Sequence, residues 1–503
     1  MANILDQIEA HKHLEIKQLY ENFDFDTLRQ TVVPSAKSFY RALSAARGQK
    51  QPFFVAEFKR KSPSEGWINR DADVCAQVRS YTRAGAGAIS VLTDTEFFGG
   101  SYADLQQAAQ TLDALPGESP LLLQKDFILD PIQIYLARLH GADIILLIAA
   151  ILPPERLLLL QKTAEGLGMG VLVEVHDREE LEKIKHLDFP VLGINNRDLK
   201  TFRTALNRVN VLSGMAGDRF IIAESGIHDY RDFQVVRGAD GFLIGTSLMR
   251  ESSPAAPPSP PTPKGEYIPG NEAHVSTLIG IHSPLGVGGE DCGEITKPHF
   301  PSLFKTLPAF APLLFKACGI RTAELLDACP ADFIGINFSP VSKRRIEPDV
   351  LEGWDIPAHA VAVFYKNSET EIWETLSRFA FRRVQLYAGD VTPAFIRNLR
   401  QKVILACRLG SAADLESLED YAADVDMFIL DSARPGSGER IGAVIPPDFP
   451  YPFLLAGGLN VDNLDAALAY RQCIGVDVAS GIETNGVVDV GKVSGISERL
   501  RRL

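Results

Sequence analysis

Cysteine is scarce in the 503-residue chain, and none is spaced for a metal or paired as C-x-x-C. The six residues, Cys75, Cys292, Cys318, Cys329, Cys407 and Cys473, are widely scattered, which excludes a disulfide scaffold or zinc ribbon and fits a reducing compartment. Long apolar runs are missing too. The longest, Ile144 to Leu152, has nine residues, far short of the roughly 18 that suggest a membrane span. The N-terminal stretch MANILDQIEAHKHLEIKQLY carries charges from Asp6 onward and no apolar signal core, so it reads as an amphipathic helix, and a cytoplasmic protein is expected. Positive charge is in deficit, with 51 Lys plus Arg against 64 Asp plus Glu and a net charge of −13. That argues against nucleic acid or a membrane as partner, because neutralising phosphates needs a local basic excess. A small anionic substrate, held by a few local cations, stays compatible.

What is present is a repeated pattern. The chain is too long for one core, since single cores stop growing at about 250 to 300 residues. Residues 251–270, ESSPAAPPSPPTPKGEYIPG, hold seven of the 31 prolines and read as a semi-rigid linker dividing the chain near its midpoint. Before it, β-branched and aliphatic runs begin at 53, 88, 121, 143, 171, 191, 220 and 241, separated by segments of helical apolar spacing such as DPIQIYLARLHGA. Strands buried on both faces and alternating with helices imply a parallel sheet, and eight such units imply a closed barrel. An open doubly wound sheet is the alternative, weakened because no G-x-G-x-x-G follows the first strand. After the linker eight more runs begin at 313, 332, 360, 382, 402, 427, 453 and 474. The expected fold class is therefore α/β: two tandem (β/α)8 TIM barrels, the first (residues 1–250) preceded by a helical extension of about 45 residues, the second spanning 313–503. Residues 271–312 fit neither barrel.

In such barrels the reactive groups sit at the C-terminal ends of strands. In the first half those exits carry Glu57 with Lys59, Lys125, Glu174, Asn195 with Arg197, and Glu224 with Ser225. Glu57 and Lys59 are two apart, so both point toward the barrel axis, and Lys125, Glu174 and Glu224 end the third, fifth and seventh strands. Ion pairs plugging the barrel top could explain any one of them. Five charges converging on one rim point instead to acid and base chemistry. The turns AESGI at 223 and IGTSL at 244 end the last two strands, the usual phosphate site of such barrels, and put small residues where backbone N–H groups can meet an anion.

The motifs AEFKRKSPSEGWI at 56, QKDFILDPIQIYLARLHGAD at 124, VEVHD at 173, GINNRDL at 193, ESGI at 224 and FLIGTSLM at 242 resemble indole-3-glycerol-phosphate synthase over residues 1–250. KACGIRT at 316, FSPVSKRRI at 338, VQLYAGD at 384, FILDSARPGSG at 428, LLAGGLNVDN at 454 and GVDVASGIETNGVVD at 475 resemble phosphoribosylanthranilate isomerase. The order of the halves is that of the bifunctional tryptophan-pathway fusions. For the synthase the resemblance implies Lys125 as proton donor to the substrate ketone, Glu57 holding that acid in place, and Glu174 as the base assisting dehydration. Lys59 would bind the anthranilate carboxylate or act as a second acid, with Asn195 and Glu224 orienting hydroxyls. Arg197 would bind substrate, and Ser62, Ser225, Gly245 and Thr246 would hold the phosphate. For the isomerase it implies Cys318 as base and Asp431 as acid, Arg344 for the anthranilate carboxylate, Asp477 contacting substrate, and a phosphate nest of Gly457, Gly458, Ser480 and Gly481. The thiol of Cys318 would need a nearby cation or helix N-terminus to bring its pKa below about 8.5, and Asp431 would need partial burial to keep a proton.

The pattern departs from the family at Tyr387 and Ala388, where it has histidine and glycine, and at Pro435 with Gly436, where it has a glycine pair. A phenol of pKa about 10 stays neutral at pH 7, so Tyr387 cannot act as a histidine does. No cofactor and no metal are implied. The partners would be small phosphorylated anthranilates, and a monomer is compatible with the sequence. Two other readings stand beside this one: a synthase whose second barrel is a non-catalytic binding or stabilising module, and a pair of sugar-phosphate aldolases using a Schiff-base lysine.

Overall fold

The computed structural model describes residues 4–198, 203–251, 313–411, 413–432, 445–446, 449–465 and 470–502. The proline-rich linker beyond Glu251, the stretch 271–312, Pro435 and Gly436 lie outside the described residues. The chain divides into two compact units, each built on a closed barrel of eight parallel strands.

In the first unit, helices α1 (Ile4–Asn22), α2 (Phe25–Thr31) and α3 (Phe39–Gly48) form the expected extension. The side chains of Asp24 and Ser38 cap α2 and α3 by accepting backbone N–H bonds, which stops each helix from running back into the preceding loop. The barrel is made by β1 (Phe53–Phe58), β4 (Ala88–Leu92), β5 (Leu121–Lys125), β6 (Ile144–Ile148), β7 (Gly170–Val175), β8 (Val191–Asn195), β9 (Phe220–Glu224) and β10 (Gly241–Ile244), each bonded to the next and β10 to β1. A short hairpin, β2 (Lys61–Ser62) with β3 (Gly66–Trp67), lies in the connection after β1. Closure brings Phe53 opposite Gly241, where a Cβ would lie 2.3 Å from the Phe53 carbonyl oxygen, so a side chain there would force the seam apart. Val55, Leu123, Leu146, Leu172 and Ile222 fill the core and leave the polar strand ends at one mouth.

The second barrel runs β11 (Leu314–Cys318), β12 (Phe333–Asn337), β13 (Ala360–Val363), β14 (Arg383–Tyr387), β15 (Lys402–Leu409), β16 (Met427–Ser432), β17 (Phe453–Ala456) and β18 (Cys473–Val478). The hairpin β19 (Glu483–Thr484) and β20 (Val487–Val488) follows, then a closing helix Val490–Leu500 capped by Asp489. Among the described residues no helix is long and apolar enough to cross a membrane, and the five described cysteines are unbridged.

Candidate active sites

Strand periodicity and closure bring the first-half candidates to one cavity of about 130 Å3 that opens to solvent. Glu57, Lys59, Ser62, Lys125, Glu174, Asn195, Arg197, Glu224, Ser225, Gly245 and Thr246 all line it. Lys125 bridges two carboxyl groups, with Nζ 3.0 Å from Glu174 Oε2 and 3.0 Å from Glu224 Oε2. Asn195 donates to Glu174 Oε1 at 3.0 Å. Glu57 acts on Lys125 through its charge and makes its short contact elsewhere: its Oε1 pairs with Lys59 Nζ at 2.6 Å, because two residues of the same strand face are nearer to each other than to the opposite wall. Two glycines make room for the acids. A Cβ on Gly193 would lie 2.1 Å from Glu224 Oε1, and one on Gly245 would lie 2.3 Å from Glu57 Oε1.

Burial opposes the charge of Lys125, but Glu174, Glu224 and Glu57 outweigh it and hold the ammonium protonated well beyond the ordinary lysine range. The two carboxyls divide. Glu174 is held well below its usual value, burial being overcome by Lys125 and His176, whereas burial, reinforced by the Glu174 charge and only partly offset by Lys125, pushes Glu224 up to about 8. At pH 7 Glu174 is the carboxylate and Glu224 keeps its proton. A charged Lys125 is a proton donor, not a Schiff-base nucleophile, which removes the observation an aldolase would need.

His176 was not singled out in the sequence. It follows Glu174 by two at the same strand exit, sits 2.9 Å from Glu174 Oε1 through Nε2, and 3.1 Å from Glu180 Oε2 through Nδ1. Burial disfavours its charge, yet these two carboxylates raise it to about 10, so it is an imidazolium. Arg197 reaches across to the Ser64 hydroxyl at 2.6 Å. At the phosphate end, Ser225 and Gly226 have φ of 64° and 85°, a left-handed pair that turns successive N–H groups the same way. The opposite flank is apolar and includes Ile4, Leu5, Ile8, Phe98 and Phe127, so α1 is part of the site.

In the second barrel Cys318 ends β11, and Lys316, two residues earlier and fully buried, points to the same place. Lys316 Nζ lies 2.7 Å from Cys318 Sγ and 3.0 Å from Asp477 Oδ1. Gly335 on β12 leaves the space they occupy, since a Cβ there would be 2.5 Å from the sulfur. The expected cation is therefore present, but the expected low pKa is not. Burial and the Asp477 charge outweigh Lys316 and push the Cys318 thiol up to about 12.

Arg344 is also not available as expected. It is fork-bonded to Glu483 on β19, Nε to Oε1 at 2.5 Å and Nη2 to Oε2 at 2.8 Å. Asp431 is half-buried at the end of β16, in register with Arg408 of β15. Tyr387 is lifted above its usual value by burial and by Asp431 and Asp477, so it stays neutral, and its hydroxyl accepts from Gln385 at 3.3 Å. Gly457 and Gly458 have φ of 98° and 65°. Gly481 packs so closely on the Leu459 carbonyl that a Cβ would lie 2.0 Å from it, which joins the Gly457–Gly458 turn to the one holding Ser480 and Gly481.

Residues 5–257 match the family model for indole-3-glycerol phosphate synthase, and residues 315–499 match that for N-(5'-phosphoribosyl)anthranilate isomerase. The chain is 31% identical to the tryptophan biosynthesis protein TrpCF of Salmonella typhi, with 100% of each covered, and 28% identical to that of Helicobacter pylori, again over 100% of each. An indole-3-glycerol phosphate synthase of Rippkaea orientalis is 41% identical over 50% of this chain and 87% of its own length.

Proposed function

Because the chain belongs to the family of bifunctional tryptophan-biosynthesis enzymes that join indole-3-glycerol phosphate synthase to phosphoribosylanthranilate isomerase, we propose that the residues at its two barrel mouths divide the chemistry of two consecutive reactions. The chain is a lyase and an isomerase. A non-catalytic second barrel is not favoured, since that barrel matches the isomerase model over residues 315–499. The enzyme acts in the cytoplasm on small phosphorylated anthranilates. In the second barrel phosphoribosylanthranilate undergoes Amadori rearrangement to 1-(2-carboxyphenylamino)-1-deoxyribulose 5-phosphate. In the first this product closes its ring and loses carbon dioxide and water to give indole-3-glycerol phosphate.

The observation that carries the synthase reading is Lys125 held at 3.0 Å between Glu174 and Glu224 in the cavity. The ammonium gives its proton to the ketone oxygen as the aromatic carbon attacks. Glu174, ionised, takes the ring proton during dehydration, and Glu224 and Asn195 orient the sugar hydroxyls. Lys59 meets the carboxylate of an aryl ring laid on the apolar flank, and Ser62, Arg197, Ser225, Gly245 and Thr246 receive the phosphate end. In the isomerase Asp431 protonates the furanose oxygen as the ring opens, and Cys318 removes the proton from the adjacent carbon. When a substrate hydroxyl donates to Asp477, the Lys316 ammonium is left to the sulfur and the thiolate becomes accessible. Gly457, Gly458, Ser480 and Gly481 cradle the phosphate. Supplying the whole chain with phosphoribosylanthranilate should yield the deoxyribulose phosphate and then indole-3-glycerol phosphate; accumulation of either earlier compound would identify a barrel without its activity.

His176 supplies a pH prediction. As a second cation on Glu174, it helps keep that base ionised. His176→Asn removes the charge, the Glu174 pKa rises, and the base becomes protonated at a higher pH. The acid limb of synthase kcat/KM should therefore move to higher pH by about one unit. An unmoved limb would detach His176 from the base.

Arg344 supplies another. To bind the anthranilate carboxylate it must exchange Glu483 for it, and this partly exposed pair is worth about 0.5–1 kcal/mol. Glu483→Gln should lower the isomerase KM by roughly two- to fivefold. A higher KM would show that Glu483 aims Arg344 and does not compete for it.

A further inference from the structure

Lys12 projects from α1 and is only 1% exposed. Its Nζ lies 2.9 Å from Asp94 Oδ2, 2.8 Å from Asp126 Oδ1 and 2.6 Å from Glu15 Oε2. Asp94 follows β4, and Asp126 follows Lys125 directly at the end of β5. Each aspartate also fixes a stretch of backbone. Asp94 Oδ1 accepts the N–H groups of Phe97 and Phe98 at 2.7 and 3.1 Å, and Asp126 Oδ1 accepts that of Phe127 at 2.7 Å. The Thr93 hydroxyl donates to Asp126 Oδ2 and accepts from Gln124 Nε2 at 2.9 Å.

Burying an ion cluster is an inefficient route to stability, because desolvation cancels much of the attraction, whereas its directionality fixes position. The position fixed here is that of three separate segments. Lys12 shares a helix face with Ile8 four residues before it and Leu5 seven before it, and both line the cavity. Phe98 and Phe127, tied to the same ammonium through Asp94 and Asp126, line it too, with ring centroids 5.9 Å apart. The ammonium thus ties α1, the loop after β4 and the loop after β5 to one point, beside the His11–Phe97 ring contact that also joins the first two.

We propose that Lys12 is a positioning residue of the synthase, the clamp that assembles the apolar flank of the cavity from three chain segments so that the aryl ring of the substrate has a formed surface to pack on. Lys12 itself touches no reacting atom. This rests on reading the first cavity as the synthase site. A preformed flank contributes equally to ground state and transition state, so its loss raises KM and leaves kcat nearly unchanged.

The test is steady-state kinetics of the full chain with 1-(2-carboxyphenylamino)-1-deoxyribulose 5-phosphate, the isomerase activity of the same molecules normalising the amount of enzyme and the Tm of the synthase unit serving as the folding control. Lys12→Met should raise KM at least tenfold with kcat within threefold. Since that variant strands two buried carboxylates and loses stability, the neutral variant carrying Lys12→Met, Asp94→Asn and Asp126→Asn is measured beside it. It should recover Tm and keep the raised KM. Ile8→Ala should raise KM alone and add nothing in the neutral background, because both act through the same surface. A neutral variant with KM within twofold of wild type, or full additivity with Ile8→Ala, would overturn the proposal. Wild-type turnover of this substrate tests the reading of the cavity, and the variant-to-wild-type KM ratio tests the clamp.

Discussion

Lys125→Met is expected to lower synthase kcat by roughly 10²- to 10⁴-fold, the usual contribution of a general acid, while isomerase activity measured on the same chain is unchanged. Ring closure puts negative charge on a ketone oxygen, and Lys125 is a cation that lines the cavity at the barrel mouth, seated between two acid side chains. Methionine keeps the volume but can neither donate a proton nor balance Glu174 and Glu224. Glu174 then loses its nearest ammonium and binds a proton more readily, so the site weakens its base as well as losing its acid. Near-normal turnover with both activities intact would remove Lys125 from the mechanism.

Cys318→Ser and Asp431→Asn are each expected to reduce isomerase kcat by roughly 10²-fold or more, with synthase kinetics as the unaffected control. Serine preserves the hydrogen bond with Lys316, but its hydroxyl ionises far less readily than a thiol, so a retained contact with lost turnover would assign the sulfur to proton transfer. Asparagine at 431 keeps the shape and removes the only proton that the side chain could deliver. Residual isomerisation near the wild-type rate in either variant would overturn the assignment of that residue. Loss in both, with a stable fold, would leave Tyr387 as a wall of the site and not as its acid.

The barrels were legible because a parallel strand covered on both faces must be apolar throughout, so runs such as FFVAEF and DIILLIAA stand out from the amphipathic helices between them. The same rule of period two that places Glu57 beside Lys59 also places His176 beside Glu174 and Lys316 beside Cys318, so these two lie within reach of sequence. Other features were not within reach. Arg344 meets Glu483 across 139 positions, and Lys12 meets Asp94 and Asp126 from a helix outside the barrel, pairings that only closure of the chain decides. The pKa of Cys318 departs from the sequence expectation for a related reason. One nearby cation is outweighed by the desolvation of a buried sulfur together with the anion that shares that cation.

That buried sulfur has a consequence for durability. Peroxide and electrophiles attack the thiolate, and the neutral thiol is a poor target. By keeping Cys318 protonated until a ligand rearranges the charges around Lys316, the resting enzyme hides the sulfur of its proposed base while idle. Exposure to damage is confined to the time that substrate itself occupies the mouth and shields the sulfur.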